Sequence, residues 1–346
     1  MREEDRRIEK GRQNRKVVLV ERPQGKPREE SFALKEGLLR EPREGEVVLK
    51  NRYLSLDPAI RGWMREGASY MEPIPIGGVV RSGVVGEVIE SRARGYRQGE
   101  ILVALGGWER FSVIRASQIA RRVTDPERFP LSNQLSVLGG NGLTAYFGMY
   151  DIGKPKAGET VLVSAAAGGV GSIAGQLAKR AGCRVIGVAG GEEKCKWVKE
   201  ALGFDGAIDY KSSEMTVLEG IKRECPDGVD VYFDNVGGEI LNAALMRINV
   251  GARVVLCGAI AQINDVELPP GPSQYIRLLT QRAQMRGFVT MDYAARWQEG
   301  SAALSQWLME GSLKHREHII EGLENAPAAF LGLFEGVNLG KMMVKV

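Results

Sequence analysis

The sequence is poor in the residues that build metal sites and disulfide frameworks. Its 346 residues include only four cysteines and two histidines. The cysteines, at positions 183, 195, 225 and 257, form no C-x-x-C pair, and His315 and His318 have no third ligand near them in the sequence. A structural zinc needs clustered ligands and a catalytic zinc needs three. We therefore expect no metal site, and cysteines that are reduced and mostly buried.

Long apolar runs are also missing. No run approaches the roughly 20 residues that a membrane-spanning helix needs. The segment MREEDRRIEKGRQNRK has no apolar core and too many acids for a transit peptide. These features predict no membrane segment and a cytoplasmic location.

Excess charge is confined to one end of the chain. The net charge is +4, and residues 1–16 alone hold seven Lys/Arg and four Asp/Glu. The rest of the chain is nearly neutral, so the net charge comes mainly from residues 1–15, which we interpret as a solvated tail. A basic binding face is not indicated, and nucleic acid is not an expected partner.

The length favours two domains, and the pattern of predicted strands and helices changes near residue 131. Before that point, short strands such as KVVLVE and GEVVLKNRYLSL alternate with glycine turns, which predicts a compact, partly open β-barrel. From Thr160 onward, strands and helices alternate, which predicts a doubly wound parallel sheet. The six predicted strands are 160–164, 184–189, 206–209, 229–234, 252–257 and 285–290. The helices between them are 169–181, 193–202, 213–224 and 238–248.

The chain is organised around the segment TVLVSAAAGGVGSIAGQLAK, which starts at Thr160. An apolar strand is followed by small residues, by glycines at 168, 169 and 171, and then by apolar residues at helical spacing. Small residues allow close approach of the backbone, and the new helix directs free N–H groups and its positive dipole end there. The pattern is a relative of G-x-G-x-x-G, and its strand–turn–helix context predicts a dinucleotide site.

The end of the second strand indicates which nicotinamide cofactor is used. Enzymes that use NAD place an acid there for the ribose 2′-hydroxyl. Here the strand ends in Ala-Gly-Gly at 189–191, and Lys194 follows within one turn, where it would meet a 2′-phosphate. Glu192 and Glu193 are alternative ribose ligands, but they also suit the first turn of a helix. We expect NADPH.

Taken together, these segments resemble the zinc-free medium-chain dehydrogenase/reductases, in particular prostaglandin reductases, leukotriene hydroxydehydrogenases and alkenal double-bond reductases. The resemblance covers residues 16–346 in the family's order. The matching segments are LSLDPAIRGWM at 54–64, GVVGEVIES at 83–91, GLTAYFG at 142–148, AAAGGVGSIAGQLAK at 165–179, GFDGAIDYK at 203–211, DGVDVYFDNVGGE at 227–239, CGAIAQIN at 257–264, LPPGP at 268–272, IIEGLENAPAAF at 319–330 and NLGKMMVKV at 338–346.

The resemblance implies a six-stranded Rossmann domain, residues 136–311, inserted into a GroES-like barrel domain made of residues 16–135 and 312–346. It implies NADPH-dependent reduction of the C=C bond of α,β-unsaturated aldehydes or ketones, of the 2-alkenal or 15-oxoprostaglandin 13-reductase kind. A small-molecule enone or enal substrate and a homodimer joined through the cofactor domains are also implied. The implied cofactor-binding residues are Gly168, Gly169, Val170, Gly171, Lys194, Tyr210, Asn235, Cys257, Gly258, Ala259, Ile260, Ile263, Phe288, Val289, Thr290 and Asn338.

Two positions depart from the family pattern. Relatives usually carry Tyr in the segment that here reads IAQIN, where this chain has Ile263, and many carry Tyr after Asp-Pro, where it has Ala59. Those phenols are associated with substrate or ribose binding, so the proton donor stays unassigned. Candidate substitutes are Tyr53, Tyr70 and Tyr275.

Two other functions stay open at this stage. One is an NADPH:quinone reductase of the same superfamily, which would reduce quinones but not enals. The other is a non-catalytic NADPH-binding sensor or nucleic-acid-binding protein, consistent with the missing tyrosines and the basic tail. The sensor would bind the cofactor without transferring hydride.

Overall fold

The computed structural model describes residues 11–67, 69–267 and 269–346. Most of the predicted tail, residues 1–10, lies outside these ranges. The described chain forms two compact units. Unit 1 takes in the described residues up to Leu135 together with His318–Val337 and Met342–Val346. Unit 2 takes in Ser136–Glu317 and Asn338–Lys341.

The strands are, in chain order, β1 Gln13–Leu19, β2 Phe32–Leu38, β3 Glu46–Ser55, β4 Arg81–Ser91, β5 Ile101–Gly107, β6 Phe111–Arg115, β7 Ile119–Arg122, β8 Thr160–Val163, β9 Arg184–Ala189, β10 Gly206–Asp209, β11 Val229–Asp234, β12 Ile248–Leu256, β13 Gln284–Gly287, β14 Glu317–Glu321 and β15 Lys341–Lys345. The α-helices are α1 Ala59–Trp63, α2 Gly140–Phe147, α3 Gly171–Arg180, α4 Glu192–Glu200, α5 Val217–Glu224, α6 Gly238–Leu245, α7 Ile276–Thr280, α8 Trp297–Met309 and α9 Ala326–Glu335. A π-helical turn, Gly148–Gly153, extends α2.

Unit 1 is built on a curled antiparallel sheet. Its strand order is β14-β15-β3-β4-β5-β7, and β6 also pairs with β3. Along one edge, β3 pairs first with β6 and then with β15, because it is long enough for both. The strands surround an aromatic centre in which Trp108 lies 5.6 Å from Phe32 and 5.5 Å from Phe330, between ring centroids. This is the barrel-like domain that the sequence predicts.

Unit 2 is built on a parallel sheet with the strand order β10-β9-β8-β11-β12-β13. Renumbered within the unit, this order is 3-2-1-4-5-6, the doubly wound order of dinucleotide-binding folds. Helices cover both faces, so the central strands are largely apolar; Leu162, Ile186 and Val254 are fully buried, whereas the edge strand β13 is polar and mostly exposed. The predicted six-stranded sheet is confirmed.

Several predicted boundaries shift for identifiable reasons. The first strand starts at Gln13, inside the segment predicted as tail. Helix α5 begins after Thr216 and not at residue 213, because Thr216 and Glu219 form a reciprocal capping box. The last strand of unit 2 ends at Gly287 and not at residue 290, since its pairing with β12 stops there.

Among the residues that the structure describes, no helix is long and apolar enough to cross a membrane.

Candidate cofactor site

The turn between β8 and α3 leaves almost no room for side chains. Ala165 has a left-handed φ of 46°, and its carbonyl oxygen accepts the N–H of Gly168 at 2.8 Å. A Cβ at Gly171 would lie 2.3 Å from the same oxygen. Only glycine fits at position 171, and α3 begins there, so the positive end of a ten-residue helix faces the turn. Gly168, Gly169, Val170 and Gly171 thus form a compact glycine cradle at a helix start, the kind of place where backbone N–H groups can bind an anion.

A distant segment of unit 2 closes one side of this turn. The N–H of Gly340 donates to the carbonyl of Ala167 at 2.8 Å, and Gly168 and Gly340 form a parallel bridge. Asn338 donates its Nδ2 to the carbonyl of Gly340 at 2.8 Å. The structure therefore places Asn338 next to the cradle, where its amide holds the bridging segment in shape.

The turn after β10 shapes the end of β9. The ring of Tyr210 packs on Gly190, where an added Cβ would lie 2.8 Å from it, and the ring is still 44% exposed. Asp209 accepts the N–H of Gly191 at 2.7 Å and that of Lys211 at 2.9 Å. The acid nearest the end of β9 is thus engaged with the backbone through Oδ1.

Two lysines lie close to this turn. Lys194 is half-buried in the first turn of α4, and burial lowers the pKa of its ammonium, with a further decrease from the charge of Lys211. Such a pair suits an incoming dianion, which would relieve the repulsion between them. Glu192 and Glu193 occupy the same first turn, where acids favour the helix dipole. Lys211 was missed by sequence reasoning, although its place directly after Tyr210 was an available signal.

Three predicted residues stand at equivalent places in the sheet. Asn235, Cys257 and Phe288 each follow the last residue of a strand, β11, β12 and β13 respectively. Because the strands are parallel and adjacent, these residues lie along one edge of the sheet, where open α/β sheets bind ligands.

The segment after β12 folds back over the end of β11. The N–H groups of Cys257 and Gly258 donate to the carbonyl of Asp234 at 2.8 and 3.1 Å, and that of Ala261 donates to the carbonyl of Val236 at 3.1 Å. Ala259, Ile260 and the half-buried Ile263 belong to this fold-back segment. Burial raises the pKa of the Cys257 thiol to about 12, and the charge of Asp234 adds to the effect, so the thiol is protonated at neutral pH.

The segment Phe288, Val289 and Thr290 is fixed from two directions. The Thr290 and Thr144 hydroxyls are hydrogen-bonded at 2.5 Å, and Trp297 donates its indole N–H to the Thr290 carbonyl at 3.0 Å. A cavity of about 300 Å³ is lined by Asp151, Arg286, Gly287, Phe288, Asp292 and Tyr293.

The three tyrosines offered as proton donors have different surroundings. Tyr53 is a half-buried residue of β3 in unit 1, packed against the cluster around Val85. Tyr70, also in unit 1, stands edge-on to Trp63 and is 53% exposed. Tyr275 precedes α7 in unit 2 and is 64% exposed. The structure does not bring them together within one unit, and the proton donor stays unassigned.

The arrangement of the predicted cofactor residues of unit 2 fits a dinucleotide that carries a 2′-phosphate. The cradle follows the first strand of the sheet and is closed to side chains. The two lysines follow the second and third strands on one side of it, and Asn235, Cys257 and Phe288 follow the fourth, fifth and sixth strands on the other side. Within residues 11–67, 69–267 and 269–346, no three His, Cys, Asp or Glu side chains are grouped as metal ligands.

Similarity to known proteins agrees with this geometry. Residues 15–121 match the family model described as N-terminal domain of oxidoreductase, and residues 169–306 match the model described as zinc-binding dehydrogenase. The chain is 42% identical to the NADPH-dependent curcumin reductase of Escherichia coli (strain K12), over 96% of this chain and 97% of that protein. It is 38% identical to the 2-alkenal reductase (NADP(+)-dependent) of Nicotiana tabacum, over 96% and 97%.

A solved structure is similar over nearly the whole chain. CurA from Vibrio vulnificus in complex with NADPH superposes with a TM-score of 0.89 at 44% identity, and the match covers 96% of this chain and 99% of that one. The glycine cradle, the strand order and these similarities lead to one assignment: the chain belongs to the zinc-free medium-chain dehydrogenase/reductases.

Proposed function

We propose that the protein is an NADPH-dependent reductase of the C=C bond in α,β-unsaturated aldehydes and ketones. The choice of NADPH is supported by Lys194 and Lys211, which follow the second and third strands of the sheet, where an NAD enzyme would have a free acid. The substrate half is supported by two similar proteins, a curcumin reductase and a 2-alkenal reductase.

The chain's own residues would hold each part of NADPH. The cradle at 168–171 receives the diphosphate, with backbone N–H groups and the start of α3. Lys194 and Lys211 receive the 2′-phosphate, and the exposed Tyr210 ring packs against the adenosine. Asn235 donates one Nδ2 hydrogen to the Ser164 carbonyl at 2.7 Å, which leaves its amide oxygen to accept a hydrogen bond from a ribose hydroxyl.

When bound, NADPH supplies a hydride that bonds to the β-carbon, while the π electrons move to the carbonyl oxygen as an enolate and the α-carbon takes up a proton from water. The protein's part is to orient the reactants and to meet the enolate with hydrogen bonds. The Ile263 side chain has no hydrogen-bonding group. We therefore propose that a ribose hydroxyl, a backbone N–H or ordered water donates the hydrogen bond to the enolate in place of the usual tyrosine.

The tyrosine variants test this part of the proposal. We expect kcat to stay within about twofold of wild type in Tyr53→Phe, Tyr70→Phe and Tyr275→Phe. In this proposal water, and not a phenol, donates the proton. A kcat decrease of about 100-fold in one of them, with unchanged NADPH binding, would identify that tyrosine as the donor and overturn the water-based protonation.

The decisive experiment follows NADPH oxidation with a medium-chain 2-alkenal, an enone, a quinone and a saturated aldehyde, each repeated with NADH. The proposal expects turnover of the alkenal and the enone with NADPH, and little with NADH. Turnover of the quinone alone would make the protein a quinone reductase. NADPH binding without turnover of any compound would contradict catalysis of this kind.

We propose that the protein forms a homodimer through unit 2. Strand β13 ends the sheet, and no other described strand pairs with its outer edge. Beside it in the chain, α7 exposes Ile276 and Leu279, 50% and 72% accessible. A second copy related by a twofold axis would cover the outer edge of β13 and the exposed side chains of α7, since such a contact is self-complementary. Leu279→Glu should shift the mass measured by light scattering from dimer to monomer, whereas Leu38→Glu on β2 should not.

A further inference from the structure

The first turn of α2 reaches the glycine cradle. A Cβ built at Gly169 would lie 3.1 Å from Nδ2 of Asn141 and 3.3 Å from its Cγ. The Asn141 carboxamide therefore covers the space that a side chain at 169 would fill. Position 141 is not among the cofactor residues that the sequence indicated.

The chain holds Asn141 in this place by a tight turn. The carbonyl of Ser136 accepts the N–H groups of both Gly139 and Gly142, at 3.1 and 3.2 Å. A Cβ at Gly142 would lie 1.8 Å from the carbonyl oxygen of Val137, so the turn requires glycine there. The backbone on both sides of Asn141 is thus fixed.

The same helix also contacts the predicted nicotinamide side of the site. Thr144, one turn after Asn141, is hydrogen-bonded to Thr290, and Phe147 stacks on Tyr293 with ring centroids 4.5 Å apart. Residues three apart share one face of a helix. The face of α2 that carries Asn141 and Thr144 therefore runs from the cradle to the segment 288–290.

The Asn141 amide is available for a ligand. Its side chain is half-buried and makes no hydrogen bond to another described residue. A half-buried amide that covers a phosphate-binding turn has two free N–H donors there. We propose that Asn141 is a further cofactor-binding residue, which donates Nδ2–H to a phosphate oxygen of the NADPH diphosphate. This inference rests on the proposed function.

The alternative is that the amide only packs on Gly169. The two possibilities differ in which ligand they affect, because the diphosphate is present in NADPH and absent from adenosine 2′-monophosphate. A donor to the diphosphate influences NADPH alone. A packing role would alter both ligands together, through the shape of the site, or neither.

The test measures dissociation constants of the full chain for NADPH and for adenosine 2′-monophosphate, by fluorescence and calorimetry. Asn141→Leu keeps the approximate shape and removes the donors; it should raise the NADPH dissociation constant about tenfold, as expected for one hydrogen bond to a charged group. Asn141→Asp should raise it further, because a carboxylate repels the diphosphate. Both variants should bind adenosine 2′-monophosphate within about twofold of the wild type.

Two controls make the result specific. Asn242→Leu changes an asparagine of α6 outside the predicted site and should alter neither constant. Lys194→Ala should weaken both ligands. Wild-type NADPH affinity in both folded Asn141 variants, judged by unchanged melting temperatures, would overturn the inference and leave the proposed function intact. Failure of the wild type itself to bind NADPH would overturn both.

Discussion

The Ser164 hydroxyl donates to Oδ1 of Asp234 at 3.1 Å and accepts the backbone N–H of Asn235 at 2.9 Å. Ser164 directly follows β8 and Asp234 ends β11, so this relay joins the first strand of the sheet to the fourth. Oδ1 of Asp234 also accepts the Tyr232 hydroxyl at 2.8 Å and the N–H groups of Val236 and Gly237 at 3.0 Å each. One buried carboxyl oxygen thus fixes the turn that carries Asn235.

Removal of this carboxyl should be costly. Asp234→Ala leaves four buried donors without their acceptor, and we expect a loss of about 3 kcal/mol in the free energy of unfolding. NADPH affinity should fall as well, since the turn at Asn235 loses its support. Urea denaturation measures the first effect and fluorescence titration the second. Glu200→Ala removes an exposed partner of Lys196 and should change stability by less than about 0.5 kcal/mol; an equal loss in both variants would contradict the role of Asp234.

Lys194 should control the choice of cofactor. Lys194→Ala is expected to lower kcat/KM for NADPH about 100-fold and to leave that for NADH within about twofold, because only NADPH carries the 2′-phosphate. Lys199→Ala, in the last turn of the same helix, serves as the matched control. A similar decrease with both cofactors in Lys194→Ala would show that the residue does not read the 2′-phosphate.

The same lysine predicts a pH dependence. Burial and the charge of Lys211 lower the Lys194 pKa, so the free protein loses this ammonium at a lower pH than an ordinary lysine. Since the charged form binds the phosphate, the NADPH dissociation constant should rise with pH below the usual lysine range, whereas the NADH constant should not. Parallel titration of both cofactors between pH 7 and about pH 10 checks this. Lys194→Arg should remove the slope, because arginine stays charged.

The cradle should not tolerate one methyl group. Gly171→Ala puts a Cβ 2.3 Å from the carbonyl oxygen of Ala165, a backbone atom that cannot rotate away. We expect NADPH binding to be lost and stability to fall by about 3 kcal/mol. Gly37→Ala adds the same methyl in β2, where nothing lies within 4 Å, and should change stability by less than about 1 kcal/mol. Normal NADPH affinity in Gly171→Ala would contradict the cradle.

In unit 1, Glu46 has a lowered pKa, so the stability that it contributes is lost as the pH falls. Glu46 accepts two hydrogen bonds from Arg40, at 2.6 and 2.8 Å, and one from the N–H of Arg43, at 2.8 Å. The Arg40 hydrogen bonds are the main cause of a Glu46 pKa lowered from 4.5 to about 2. The ionised form stabilises the fold, so its contribution is complete above the ordinary pKa and is lost as pH falls toward 2.

Glu46→Gln should therefore lower the melting temperature at pH 7 by about 3 °C, with a difference that shrinks as the pH approaches 2. Scanning calorimetry of both proteins at several pH values measures it. The exposed Glu36→Gln on β2 is the control and should show little difference at any pH. If the melting temperature of Glu46→Gln differed from that of the wild type by the same amount at every pH, the ion pair would not be the source of the difference.

Most strands of unit 2 could be predicted from sequence because they are largely apolar, and each strand from β8 to β11 is followed by a helix of recognisable period. The glycine cradle could be predicted for a similar reason, since its spacing is local. Asn141 could not, because its importance depends on the distant turn at Gly169 that it approaches. The boundary at Thr216 was readable from its capping box, whereas the end of β13 depends on pairing with β12, which a single sequence does not show.

The bridge between Gly168 and Gly340 ties the cofactor cradle to a segment half the chain away. During synthesis, the cradle at residues 168–171 is made well before its bridge partner, which the ribosome adds only after α3 to α9. Because loop closure over such a distance is slow and entropically expensive, a full NADPH affinity should develop late in folding. Unit 2 cut after Glu317 would lack this partner altogether, so the cofactor domain is contiguous in space but cannot be excised as one continuous peptide.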